Sequence, residues 1–96
     1  PTLCALYLSN KQLSVLPPEI GLLINLQHFN LCDNQLSVLP PEIGLLINLK
    51  TLSLHTNQLS VLPFEIGLLI KLRYLSVNQK DVTLVPENLQ HALCIT

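Results

Sequence analysis

The chain has 96 residues, of which 49% are hydrophobic and only 11% charged, with five Lys and Arg against six Asp and Glu. Lys11, Lys50, Lys71, Arg73 and Lys80 are scattered rather than gathered into a stripe that could follow phosphates, which argues against nucleic acid as a partner. Pro, Glu, Asn and Ser interrupt the apolar runs well short of the roughly 20 residues that span a bilayer, and three cysteines at 4, 32 and 94 form no C-x-x-C pair, so no membrane span, disulfide framework or zinc site is expected.

Along the chain one segment recurs with an advance of 23 residues: QLSVLPPEIGLLINL at 12–26 and again at 35–49, then QLSVLPFEIGLLIKL at 58–72. In that frame Leu3, Leu26, Leu49, Leu72 and Ile95 open successive units, giving repeats 3–25, 26–48, 49–71 and 72–94 within a single domain, 1–96. The fourth unit, ending in DVTLVPENLQHALC, diverges in sequence while keeping the phase. Units this short cannot enclose a core singly, so the pattern predicts stacking.

Each unit begins with an alternation, Phe29-Asn30-Leu31 or Leu52-Ser53-Leu54, whose period of two predicts a short strand with one buried face. Asn34 and Asn57 fall where the chain must leave the strand, and a buried amide there satisfies backbone groups of neighbouring turns. Lys11 and Lys80 hold the same phase in the first and fourth units and cannot accept from backbone N–H groups, which predicts that those units are looser or adapted as ends. Next come Leu16 to Ile20, Leu39 to Ile43 and Leu62 to Ile66, read as a turn followed by a short helical stretch, since Pro suits the first helical position and Glu the N-terminal dipole. Gly21, Gly44 and Gly67 recur in phase and suit close packing or chain reversal better than a phosphate loop.

The spelling L-x-x-[LF]-x-L-x-x-N-x-L, carried by Leu26, Phe29, Leu31, Asn34 and Leu36 and again by Leu49, Leu52, Leu54, Asn57 and Leu59, resembles the leucine-rich-repeat family over the whole chain. The 23-residue L-P-x-E-I-G class is similar to intracellular Ras-pathway scaffolds, the Scribble and Erbin adaptors, plant Ras-group repeat proteins and many bacterial examples. That resemblance implies an α/β leucine-rich-repeat solenoid: a right-handed superhelix with a parallel sheet on its concave face and short helical or 3-10 turns on its convex face. It also implies an asparagine ladder, about four repeats without caps, and a cytoplasmic protein-interaction module of a scaffold or signalling adaptor, with no cofactor, metal or catalytic residue.

Placed on that fold, the non-leucine strand positions form concave columns: Ala5, His28, Thr51 and Tyr74; then Tyr7, Asn30, Ser53 and Ser76; then Ser9, Cys32, His55 and Asn78; and last Asn10, Asp33, Thr56 and Gln79. Lys50 and Arg73 line the approach to the strands. These positions vary between units while the outer segment barely changes, which points to recognition of another protein through Tyr7, His28, Asn30, Cys32, Asp33, Lys50, Ser53, His55, Arg73, Tyr74 and Asn78. Drift at tolerant surface positions is the bland alternative.

Cys32 and His55, on adjacent strands about 4.8 Å apart with Asp33 nearby, are the one pairing with the makings of a cysteine nucleophile. A flat sheet supplies neither an oxyanion hole nor a pocket, so recognition is the preferred reading. On the outer side Leu22, Ile24, Leu45, Ile47, Leu68 and Ile70 stand where the family usually has polar residues. If exposed, they form a patch fit for self-association; if the segment turns, they are core. Rival roles are the substrate-recognition arm of a multidomain enzyme and an architectural or oligomerising array.

Overall fold

The computed structural model describes residues 2–78 and 85–95. Five short strands, β1 (Ala5–Tyr7), β2 (His28–Asn30), β3 (Thr51–Ser53), β4 (Tyr74–Val77) and β5 (Leu93–Ile95), form one parallel sheet in chain order. Between them lie 3-10 turns at Pro18–Leu22, Pro41–Leu45, Phe64–Leu68 and Glu87–Ala92. This is the leucine-rich-repeat fold, and the described outer segments wind as 3-10 rather than α turns. Pro17, Pro40 and Pro63 are extended, with ψ of 153°, 149° and 143°; at Pro17 and Pro40 a second proline follows and keeps the residue before it out of the helical region. The turns then close through Leu23 N–H to Ile20 O, Leu46 N–H to Ile43 O and Leu69 N–H to Ile66 O at 3.1–3.2 Å.

The interior is a stack of like residues. Leu26, Leu49 and Leu72 lie above one another, as do Phe29, Leu52 and Leu75, then Leu31, Leu54 and Val77, and all are essentially inaccessible to water. Burying each such side chain contributes about 1.5–3 kcal/mol, which no single coil could secure because its leucines are covered from both sides by other coils. The first coil has a neighbour on one side only. Leu3 is accordingly 45% exposed, and Leu6, Leu8, Leu13 and Leu23 are half-buried in phases that are closed in the second and third coils.

Asn34 and Asn57 do form rungs between coils. Asn34 Oδ1 accepts the N–H groups of Lys11 and Leu13 at 3.0 Å, while its Nδ2 donates to the carbonyls of Leu8, Leu31 and Cys32. Asn57 repeats this one coil later: its Oδ1 accepts Leu36 N–H at 3.0 Å, and its Nδ2 donates to Leu31, Leu54 and His55. Each amide serves the coil before its own. The greater exposure of the first coil therefore follows from its missing neighbour and not from Lys11; Lys80 lies outside the described residues. A second outer ladder escaped the sequence reading: Asn48 Nδ2 donates to Ile24 O, Lys71 Nζ to Asn48 Oδ1 and Asn88 Nδ2 to Gly67 O, each at 2.9 Å.

One expectation is corrected. Ile95 does not open a fifth unit in the 23-residue frame, because β5 pairs with β4 as Leu75 with Leu93, Ser76 with Cys94 and Val77 with Ile95, an advance of 18 residues. The earlier turns are followed by residues 23–27, 46–50 and 69–73 before the next strand, whereas Ala92 passes directly into β5. Of the two readings of the recurring glycines, close packing holds at Gly21 and Gly44, and chain reversal does not, because no glycine has a positive φ. They make room: a Cβ on Gly44 would stand 2.7 Å from Glu65 O, and one on Gly21 2.9 Å from Leu45 Cδ1. At Gly67 the nearest atom, Asn88 Oδ1, is 3.5 Å away, since the diverged fourth unit packs less tightly there.

Gly44→Ala should therefore destabilise the fold by about 1–3 kcal/mol through overpacking. Gly67→Ala should be neutral or stabilising by up to about 1 kcal/mol through the unfolded chain's lost freedom. Denaturant unfolding of both variants checks the contrast.

Candidate recognition face

Strand register builds this face directly. Ala5 is opposite His28, His28 opposite Thr51 and Thr51 opposite Tyr74, while Tyr7, Asn30, Ser53 and Ser76 form the parallel column two residues on. Because side chains alternate along a strand, Leu6, Phe29, Leu52 and Leu75 point inward between these columns. Within the first column His28 Nδ1 and Thr51 Oγ1 are hydrogen-bonded at 3.0 Å. Tyr7 is 65% exposed near one end of the sheet and Tyr74 42% exposed near the other. Half-buried Lys50 and exposed Arg73 enter their strands in register, Arg73 N–H donating to Lys50 O at 2.8 Å, so two cations stand on neighbouring coils.

Several of the expected contact residues are already engaged in the framework. Asn30 Oδ1 accepts the Cys32 N–H at 3.0 Å. Asn78 Oδ1 accepts the Thr56 N–H at 2.8 Å, and Asn78 Nδ2 donates to Asn57 O at 3.4 Å, so it joins the third coil to the fourth two residues ahead of the ladder phase. Cys32 and Ser76 are buried, Ser53 and His55 half-buried, and Asp33 exposed.

The last column differs in kind from the others. Asn10, Asp33 and Thr56 share the left-handed region, with φ of 57°, 59° and 59°, and mark where the chain turns out of the sheet; Gln79 lies outside the described residues. Asn and Asp tolerate that conformation, whereas a β-branched Thr does so under strain. Asn and Asp in one phase were the sequence signal for this turn.

Chemically, the face is suited to contact rather than bond-making. Burial pushes the Cys32 thiol up, and a hydrogen bond to Asp33 and that carboxylate's negative charge push it further, outweighing the opposing Asn30 contact. A thiolate, the form a nucleophile needs, is thus disfavoured. The His55 ring hydrogen-bonds through Nδ1 to Thr56 Oγ1 at 3.2 Å. Tyr74 is likewise pushed up, chiefly by the Cys94 side chain beside it. Among the described residues no three His, Cys, Asp or Glu side chains converge as a metal site would require, and no helix is long and apolar enough to cross a membrane.

The outer side carries what the sequence left undecided: Leu22, Ile24, Leu45, Ile47, Leu68 and Ile70 are all exposed. So are Val15, Val38 and Val61, an apolar column the sequence reading passed over. A shallow cleft of about 360 Å³ lies between Val15, Leu16 and Pro18 of the first coil and Val38, Leu39 and Pro40 of the second.

Raised folded-state thiol and phenol values stabilise the fold below the unfolded groups' ordinary values and lose that contribution as pH rises. Stability should therefore decline above pH 9.0, the ordinary thiol value, and less steeply in Cys32→Ser. At pH 8 a thiol reagent should modify exposed Cys4 well before buried Cys32, and faster labelling of Cys32 would contradict the assignment.

Comparison with known proteins agrees with this geometry. The Leucine Rich Repeat family model matches residues 25–46 and 48–69. A solved structure of a leucine-rich-repeat protein from Leptospira interrogans is similar with a TM-score of 0.77 and 39% identity, over 98% of this chain and 24% of that one. The chain thus spans about a quarter of that protein's length. No curated protein matches the sequence. The matched repeats, the stacked 23-residue coils and the asparagine rungs are together those of the leucine-rich-repeat fold.

Proposed function

We propose that the chain is a protein-recognition module that binds its partner on the concave sheet face, as part of a scaffold or signalling adaptor. Repeats of this family are generally protein-interaction modules and typically non-catalytic. One observation carries the reading: coils whose outer segments are nearly identical bear different side chains in each concave column, as in Ala5, His28, Thr51 and Tyr74. Duplication preserved the frame and diversified the face, which is what a surface of separately adjustable contacts requires. Tyr7 and Tyr74 supply large amphipathic contacts, and neighbouring Lys50 and Arg73 suit a partner carboxylate beside an apolar segment. Three free cysteines, one of them buried, fit a reducing, cytoplasmic setting.

A displayed peptide library selected on the immobilised chain tests this reading. Binders should have an acidic residue, lose more than about tenfold in affinity, near 1.4 kcal/mol, on Tyr74→Ala or Arg73→Ala, and keep it on Val61→Ser. Binders indifferent to every concave substitution would contradict it.

A further inference from the structure

We infer that the cation pair at the edge of the concave face, Lys50 and Arg73, receives a phosphorylated side chain of a partner protein, an assignment that rests on reading that face as a recognition surface. Cys4, Gln27, Lys50 and Arg73 form one column just ahead of the strands, and the backbone holds its spacing. Gln27 O accepts the N–H groups of Lys50 and Thr51 at 2.8 and 3.1 Å, and Lys50 O accepts those of Arg73 and Tyr74 at 2.8 and 3.1 Å. Lys50 and Arg73 are thereby fixed on neighbouring strands, about 4.8 Å apart. Lys50 is half-buried and Arg73 exposed, and among the described residues neither side chain has a hydrogen-bond or ion-pair partner.

The framework does not call for these charges. Cys4 and Gln27 hold the same column with the same backbone bonding, since the Gln27 and His28 N–H groups both reach Cys4 O. Like charges on adjacent strands, moreover, cost stability. Among the described residues the acidic groups lie elsewhere: Glu19, Glu42, Glu65 and Glu87 stand in the outer 3-10 turns, and Asp33 where the second coil turns out of the sheet. Asp33 is six residues beyond Gln27, roughly 15–20 Å along the chain, well past the about 8 Å over which surface charges act at physiological salt. Two uncompensated cations side by side match one group with two negative charges. A carboxylate leaves one cation unmet, whereas a phosphate monoester carries close to two charges and three acceptor oxygens. That is enough for the Arg73 fork and the Lys50 ammonium together. Beside the pair, Tyr74 is 42% exposed, and with the hydrogen-bonded His28 and Thr51 it offers contacts to residues flanking the phosphate. A segment of chain has such flanks and a lipid headgroup does not, so the partner is a phosphorylated protein.

Degenerate peptide pools with a fixed central phosphoserine, phosphotyrosine, glutamate or serine, passed over the immobilised chain, test this. At least one phosphorylated pool should be retained about tenfold or more tightly than the glutamate and serine pools. Lys50→Gln and Arg73→Gln should each remove that preference and keep the wild-type circular dichroism, because neither charge has a partner in the fold. Lys71→Gln, which removes a cation from the outer side, should leave the preference intact and so separate the pair from a general effect of net charge. Equal retention of all four pools, still lost on Tyr74→Ala, overturns the phosphate assignment while the recognition reading stands. Failure to retain any pool overturns both. A chain that instead gathers on phosphatidic acid vesicles through Lys50 and Arg73, with no preference among the peptides, overturns the choice of a protein partner.

Discussion

A coil of this chain is one layer of side chains thick, and that constraint governs everything else in the structure. Leu26, Phe29 and Leu31 cannot hide from water within their own coil; they are closed off by Leu6 and Leu8 on one side and by Leu49, Leu52 and Leu54 on the other. Stability is therefore a property of neighbours. The backbone polar groups that stacking buries are met in the same direction, by strand bonds such as Leu31 N–H to Ser53 O at 2.9 Å and Leu54 N–H to Ser76 O at 2.8 Å, and by the Asn34 and Asn57 amides. Leucine and asparagine thus do complementary work, one excluding water and the other replacing its hydrogen bonds.

Stacking also separates the surface into parts with different freedom. On the outer side consecutive turns approach so closely that Gly44 faces the Glu65 backbone, which leaves little room for change. Concave side chains rise from strands already fixed by their backbone bonds, so His28 can become Thr51 or Tyr74 without disturbing the coil beneath. The variable strand columns and the exposed apolar flank consequently occupy different sides of the solenoid, each drawn from positions the core does not use.

Sequence periodicity made the fold legible because the core requirement is repeated identically. Strand placement followed from Phe29 and Leu52 alternating with polar neighbours, and the columns followed from the 23-residue advance. The fourth unit was less legible: its core residues Leu89 and Ala92 stay near phase, while the residues that would have spaced the turn from the strand are missing, and residue counting from the start of the chain hides such a loss. Burial of Cys32 and the engagement of Asn30 and Asn78 depend on how the chain turns out of the sheet, a local geometry that alternation alone does not encode. Exposure of Leu22 and Ile24 was undecidable from composition, since apolar side chains beside a 3-10 turn face either way until the packing around Gly21 and Gly44 fixes the turn's rotation.

The dependence of every coil on its neighbours is measured most directly by native-state hydrogen exchange at Leu31 and Leu54, whose amides bond from one coil to the next. Both should be protected roughly a thousandfold or more, in keeping with a marginally stable domain. They should also lose protection together as denaturant is raised. Exchange of either amide within about tenfold of the unstructured rate, or loss of the two in separate steps, would contradict a shared interior.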